Sequence, residues 1–188
     1  MSRKSQAWRA LKKLGACPEA VEWMRSNRTL SDDELWRCCT YAPWLLWAAS
    51  FGLRSPDSRH RELVAETIRA CALPTLRSLA VPYADIAKGL YMLEHMQDRD
   101  AALAVLGIVD DRTMHSSALR CIRAPVLARQ VAEDRCSWST NAPSTPVSVA
   151  FAACGTAATN RLCCDIIKAN ITAKQVSDWA SGERRIRR

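Results

Sequence analysis

The stretch LSDDELWRCCTYAPWLLWAASFG, residues 30–52, decides the fold. Ser31 can cap a helix, and Glu34, three residues later, can return the hydrogen bond as in a capping box. Two further acids in the same turn favour the positive end of the helix dipole. The pattern therefore predicts a helix that begins at Ser31 and runs to about Thr40.

A second short helix follows and carries paired tryptophans. Pro43 interrupts the first helix and suits the first turn of the next, predicted over residues 44–51 and closed by Gly52. Trp44 and Trp47 are three residues apart, which places them on one helix face. Because helices this short depend on tertiary packing, the stretch predicts several short helices packed together.

The same pattern extends in both directions. Apolar residues spaced by three or four predict helices over residues 5–14 and from Pro18 onward, with Gly15 as a left-handed stop between them. Another helix is predicted from Ser55 to about Leu73, where Pro74 should end it. Further helices are predicted over residues 83–96, 100–109, 113–121 and 125–136.

The C-terminal part predicts a helical hairpin. A helix over residues 147–170 aligns Val147, Phe151, Cys154, Ala158, Leu162 and Ile166. Thr172 can cap a last short helix, residues 173–180, which Gly182 should end.

These elements predict an all-α chain, a compact multi-helix domain of about nine or ten short helices. Solenoid-like stacking is an open alternative. Residues 1–136 would form an N-terminal helical region, 137–146 a linker loop, and 147–188 a C-terminal helical hairpin and basic tail. We expect all three to belong to one domain.

Composition indicates a cytoplasmic protein. The N-terminus lacks the apolar run of a secretory signal, and no stretch approaches the ~20 apolar residues of a membrane span. The nine cysteines are odd in number, so free thiols are favoured over a disulfide framework.

The net charge of +8 is concentrated at the chain ends. The basic residues there are Arg3, Lys4, Arg9, Lys12, Lys13, Arg184, Arg185, Arg187 and Arg188. Removing these nine from 27 leaves 18 basic against 19 acidic residues, so the body is nearly neutral. The ends could contact nucleic-acid phosphates or an acidic partner, or could only aid solubility.

Motifs that carry chemistry are missing from the sequence. It has no glycine-rich phosphate loop, no HExxH, no GxSxG and no CxxC. The pairs Cys38-Cys39 and Cys163-Cys164 point about 100° apart on a helix, so zinc would need additional ligands. We therefore predict a non-enzymatic protein with no catalytic residues, metal or cofactor, although zinc binding by the cysteines stays open.

Tryptophans and cysteines recur at regular spacing in residues 14–73. The set comprises Leu14-Gly15-Ala16-Cys17, Glu19-Ala20, Trp23, Trp36, Cys39, Trp44-Leu45-Leu46-Trp47, Arg61, Leu63, Val64 and Cys71-Ala72. It resembles a family of helical phage and bacterial proteins that are labelled as immunity proteins. The resemblance covers about a third of the chain, and it implies a phage or mobile-element origin and no catalytic residues. Pro43 departs from it, because an acid is common there.

The functional expectation is an interaction or inhibitor protein of phage or mobile-element type. It would bind a macromolecular partner, as immunity or anti-defence proteins do, with an anti-CRISPR-like blocker as one version. The alternative is a nucleic-acid-binding or regulatory protein that uses the basic ends. Trp23, Trp36, Trp44 and Trp47 are expected to form an internal aromatic seam, with an exposed partner-binding patch as the alternative. A homodimer through residues 147–170 is also possible.

Overall fold

The computed structural model describes residues 14–80 and 157–186, and within these ranges the chain is helical with no strand. The helices are α1 (Pro18–Ser26), α2 (Asp32–Cys38), α3 (Ala42–Ala49), a 3-10 helix (Ser50–Arg54), α4 (Ser58–Ala80), α5 (Ala157–Asn170) and α6 (Ala173–Ile186). The all-α prediction is confirmed for this part of the chain. The helices predicted over residues 5–13, 83–136 and 147–156, and the linker at 137–146, lie outside the described residues.

Helix α2 begins as its sequence predicts. The Glu34 amide donates to Ser31 Oγ at 3.3 Å, and the Ser31 amide donates to Glu34 Oε2 at 2.7 Å. Helix α6 begins in the same way, since Thr172 and Gln175 exchange equivalent bonds. Upstream, Gly15 has φ +94°, the left-handed conformation expected of it, and Pro18 occupies the first turn of α1.

Helix α3 has a cap that comes from the other end of the chain. Its own N-cap residue, Tyr41, makes no side-chain cap. Instead, the Ala42 amide donates to Asn160 Oδ1 at 2.8 Å, and Asn160 Nδ2 donates to the Thr40 carbonyl at 2.7 Å. Asn160 therefore joins α5 to the α2–α3 turn and satisfies two backbone groups there.

The prediction that Gly52 ends the second helix as a stop is wrong. Gly52 lies inside the 3-10 helix and does not have a positive φ. A Cβ there would lie 2.7 Å from Val64 Cγ2 and 2.8 Å from a Trp179 ring carbon. Glycine is required because α4 and α6 approach the backbone closely.

Two predicted helix ends are also wrong. Helix α4 passes through Pro74 and continues to Ala80, and α6 passes through Gly182 to Ile186. Proline removes one intrahelical donor, but Cys71 and Ala72 just before it are fully buried, and tertiary packing outweighs the local cost. Glycine costs only about 1 kcal/mol in a helix interior, and good helix formers follow it.

The buried stripe of α5 differs from the predicted one. Leu162 was expected on the buried face, yet it is 47 % exposed. The face that packs inward carries Thr159, Cys163 and Ile167, one position further along the chain. Sequence periodicity shows that a helix has an apolar face. When neighbouring faces also carry apolar residues, the elements that pack against the helix determine which face is buried.

The described helices share one core. It contains fully buried residues from α3, α4 and α5, among them Leu46, Val64, Ile68 and Ile167, and it extends to Trp179 of α6. Helix α5 packs on α3 and α4, and α6 packs on α2, α3 and the 3-10 helix. Helices α5 and α6 thus pack against helices far from them in sequence, whereas units of a solenoid contact only their sequence neighbours.

A tryptophan-lined pocket as the candidate functional site

An apolar pocket of about 80 Å³ lies between α1, α2, α3 and the start of α6. All four tryptophans of the predicted seam line it: Trp23, Trp36, Trp44 and Trp47. Each of the four is partly buried and packs against the core. The rings therefore contact the core with one part of their surface and line the pocket with another. The two alternatives drawn from the sequence were an internal aromatic seam and an exposed patch, and the observed arrangement lies between them.

Ring contacts hold the pocket walls in place. Trp23 and Trp44 have ring centroids 6.0 Å apart, and Tyr41 meets Trp44 edge-on at 5.1 Å. Trp47 meets Phe51 edge-on at 5.2 Å. Offset and edge-on geometries are the favoured ones for aromatic pairs. Of these contacts, the Trp23–Trp44 pair joins α1 to α3.

Trp36 is positioned by a polar contact. Its indole Nε1 donates to the Ile171 carbonyl at 2.9 Å, in the turn between α5 and α6. Nearby, Lys168 Nζ donates to the Arg37 carbonyl at 2.7 Å, near the end of α2. With the Asn160 cap, these bonds attach the C-terminal hairpin to the wall that carries the pocket. The pocket is therefore preformed by tertiary contacts.

One face of α2 supplies a full wall of the pocket. Asp32, Leu35, Trp36 and Cys39 follow helical spacing and all line it. Three of these suit an apolar wall, and the first does not. Asp32 is the one charged residue among the described residues that line the pocket.

The carboxylate of Asp32 is incompletely satisfied. Its Oδ1 is buried and has no hydrogen-bond partner among the described residues. Buried polar atoms are nearly always paired, since an unpaired one costs about 1–3 kcal/mol. From the sequence, the acids at 32–34 are predicted only as a helix start. The spacing of Asp32 from Leu35, Trp36 and Cys39 is the signal that places it on the same face as these residues.

The thiols of Cys39 in the pocket wall and of Cys164 in the core are not activated. Burial raises the pKa of Cys39, which lines the pocket, and burial raises the pKa of Cys164 to about 11. Nucleophilic cysteines need the opposite shift, because the thiolate is the reactive form. Cys71 and Cys163 are fully buried, and each thiol donates to the other residue's carbonyl.

Groups that could hold a metal ion do not occur among the described residues, where no three histidine, cysteine or acidic side chains converge. His60 interacts with Ser55 Oγ at 3.0 Å and meets the Trp179 ring edge-on. Arg61, part of the motif, donates to the carbonyls of Ser55 and Pro56 and secures the start of α4. These residues support the fold.

The basic ends fall mostly beyond the described residues. Arg3, Lys4, Arg9, Lys12, Lys13, Arg187 and Arg188 lie outside them. The backbone of Arg184 and Arg185 belongs to the last turns of α6. None of the described helices is both long and apolar enough to cross a bilayer.

No protein-family model, curated protein or solved structure matches this chain.

Proposed function

We propose that this is a non-enzymatic interaction protein that binds a macromolecular partner through the tryptophan-lined pocket and its rim. One observation carries the proposal: four partly buried tryptophans from three helices frame a single open apolar pocket. Tryptophan is enriched among residues that dominate binding energies, and such residues cluster around well-packed pockets.

The geometry of the pocket supports binding. Its walls are held by ring pairs and by the Trp36–Ile171 bond, so little ordering cost would be incurred on association. Tyr41, at 44 % exposure, extends the aromatic surface beside Trp44. Preformed apolar pockets with few polar groups are typical of binding sites.

The biological class of the protein rests on the resemblance in residues 14–73. It supports an immunity or anti-defence inhibitor of phage or mobile-element origin, for which anti-CRISPR-like blocking is one version. A cytoplasmic protein with nine or ten helices in one domain belongs to the same proposal.

The alternative function uses the basic ends. Nine basic residues without an acid lie in the terminal segments, while the body is nearly neutral. If these ends bind DNA or RNA, affinity should fall steeply with salt and disappear when both ends are trimmed. Retention of function after trimming would exclude this alternative.

The experiment for the leading proposal is capture from host lysate with pocket-filled variants of the tagged full-length chain. Ala48→Leu and Ala20→Leu both add volume at residues that line the pocket. The matched control is Leu162→Ala, on the exposed side of α5 and away from the pocket. Circular dichroism and thermal unfolding check that each variant folds.

We expect a near-stoichiometric partner with the wild type and the control, and at least tenfold less with both filled variants. Equal capture by folded, filled variants would contradict the proposal. Recovery of no stoichiometric partner by the wild-type chain would also contradict it.

A further inference from the structure

We propose that the pocket accepts a lysine side chain of the protein partner, with its alkyl stem among the tryptophans and its ammonium near Asp32. This inference rests on the proposed function and specifies the chemistry of the partner. It follows from the composition of the pocket wall, which is aromatic and apolar except for one carboxylate.

The charge of the wall determines the sign of the ligand. Asp32 is the one charged group among the described residues that line the pocket, and no lysine or arginine offsets it there. The faces of indole rings attract cations, and this attraction grows to about 2 kcal/mol or more when the cation is desolvated. The tryptophan-rich lining and its carboxylate are therefore both compatible with a cationic ligand, and the carboxylate disfavours an anionic one.

The unpaired Oδ1 of Asp32 indicates where the ammonium group of the ligand would lie. Asp32 lines the pocket, and its Oδ1 is buried with no partner among the described residues, where an unmade hydrogen bond is costly. The terminal torsion of aspartate is broad, so a small rotation of the carboxylate brings an oxygen toward the pocket. A donor that enters the pocket would satisfy this group.

The form of the acceptor favours lysine over arginine. A guanidinium carries five N–H donors that need acceptors, whereas an ammonium is a compact point charge on an apolar stem. Asp32 supplies the one carboxylate of the described lining, and the rest of that lining is apolar, so few acceptors are present for a guanidinium. The long methylene stem of lysine can also bury apolar surface against the rings.

The test uses capped single amino acids as probes and the full-length chain as receptor. Nα-acetyl-lysine methylamide is compared with the norleucine derivative, which has the same stem without the ammonium, and with the arginine derivative. Binding is followed through the indole N–H signals of the protein by NMR at constant salt. We expect the lysine probe to bind about tenfold more tightly than norleucine.

Three variants locate the preference. Asp32→Asn should bring the affinity for lysine to within about twofold of that for norleucine, whereas Asp32→Glu should keep most of the preference. Asp33→Asn is the matched control, because Asp33 is the exposed neighbouring acid and does not line the pocket. It should leave the preference unchanged, and thermal unfolding checks the fold of each variant.

Several results would overturn the inference. Equal binding of lysine and norleucine would show an apolar pocket only, and tighter arginine binding would identify the other cation. An equal loss in Asp33→Asn would indicate the general field of the helix start. If pocket filling abolishes partner capture while the lysine probe fails, the proposed function stands and this inference falls. If the lysine preference is present but filling has no effect on capture, the reverse holds.

Discussion

Helix α3 separates two regions that are built from similar residues but packed differently. One side, with Trp44, Leu45, Trp47 and Ala48, lines the tryptophan pocket. The other side, with Leu46 and Ala49, is fully buried in the core shared with α5. Apolar character alone therefore does not distinguish a core from a binding surface. The elements on the other side of the helix make the distinction.

The largest expected difference comes from shortening the two neighbouring leucines of α3. Leu46→Ala should lower the free energy of unfolding by about 4 kcal/mol because it leaves a sealed cavity, and Leu45→Ala by about 2 kcal/mol because it enlarges an existing opening. Chemical denaturation measures both. Equal losses would show that the pocket side is packed as tightly as the core.

The next prediction tests how closely α4 and α6 approach the backbone at Gly52. Gly52→Ala should cost about 3 kcal/mol, since the new Cβ meets Val64 and Trp179, both of which are buried. Gly15→Ala is a useful contrast, because a Cβ there meets nothing and only the positive φ opposes it. A neutral Gly52→Ala would refute the close approach of α4 and α6.

Enlarging two adjacent alanines should separate the regions again. Ala49→Leu is expected to cost about 2 kcal/mol by overpacking the core, whereas Ala48→Leu should cost less than about 1 kcal/mol because its side chain enters the pocket. Thermal and denaturant unfolding of the two variants give the comparison. If Ala48→Leu lowers the free energy of unfolding more than Ala49→Leu does, the pocket has no room for a larger side chain at residue 48.

The smallest expected effect concerns the two hydrogen bonds by which Asn160 of α5 holds the start of α3. Asn160→Leu should cost about 1–2 kcal/mol, because it leaves the Ala42 amide and the Thr40 carbonyl without their partner. Asn170→Leu is the matched control, since Asn170 is exposed and bonds only within its own helix. Denaturant unfolding should show a smaller loss for the control; equal losses would argue against a tertiary cap.

Much of the local structure was predictable because its causes are local. The Ser31–Glu34 capping box, the left-handed Gly15 and the proline at the start of α1 each depend on residues within a few positions. The ends of α4 and α6 were not predictable in the same way. Pro74 and Gly182 have local costs of a few kcal/mol at most, which packing against distant helices can exceed.

The candidate site was likewise predictable from the sequence only in part. Spacing placed Trp44 and Trp47 on one face and suggested that Trp23 and Trp36 could meet them, but it could not show whether the rings would close on each other or leave a pocket. Asp32 carried a spacing signal that its role at the helix start concealed. The buried, unpaired Oδ1 of Asp32 is a property of the folded chain, and helix-start chemistry does not predict it.

The sequence by itself determined an all-α chain in the described ranges, with the position of most helix starts, because caps, prolines and apolar spacing act over one or two turns. The tertiary structure decided which faces are buried, why Gly52 is glycine, and that Asn160 caps α3 from 118 residues away. It also decided that Leu46 and Ala49 of α3 pack in the core, whereas Leu45 and Ala48, which are buried too, also line a pocket. These features depend on contacts between distant parts of the chain, whose geometry no local pattern encodes.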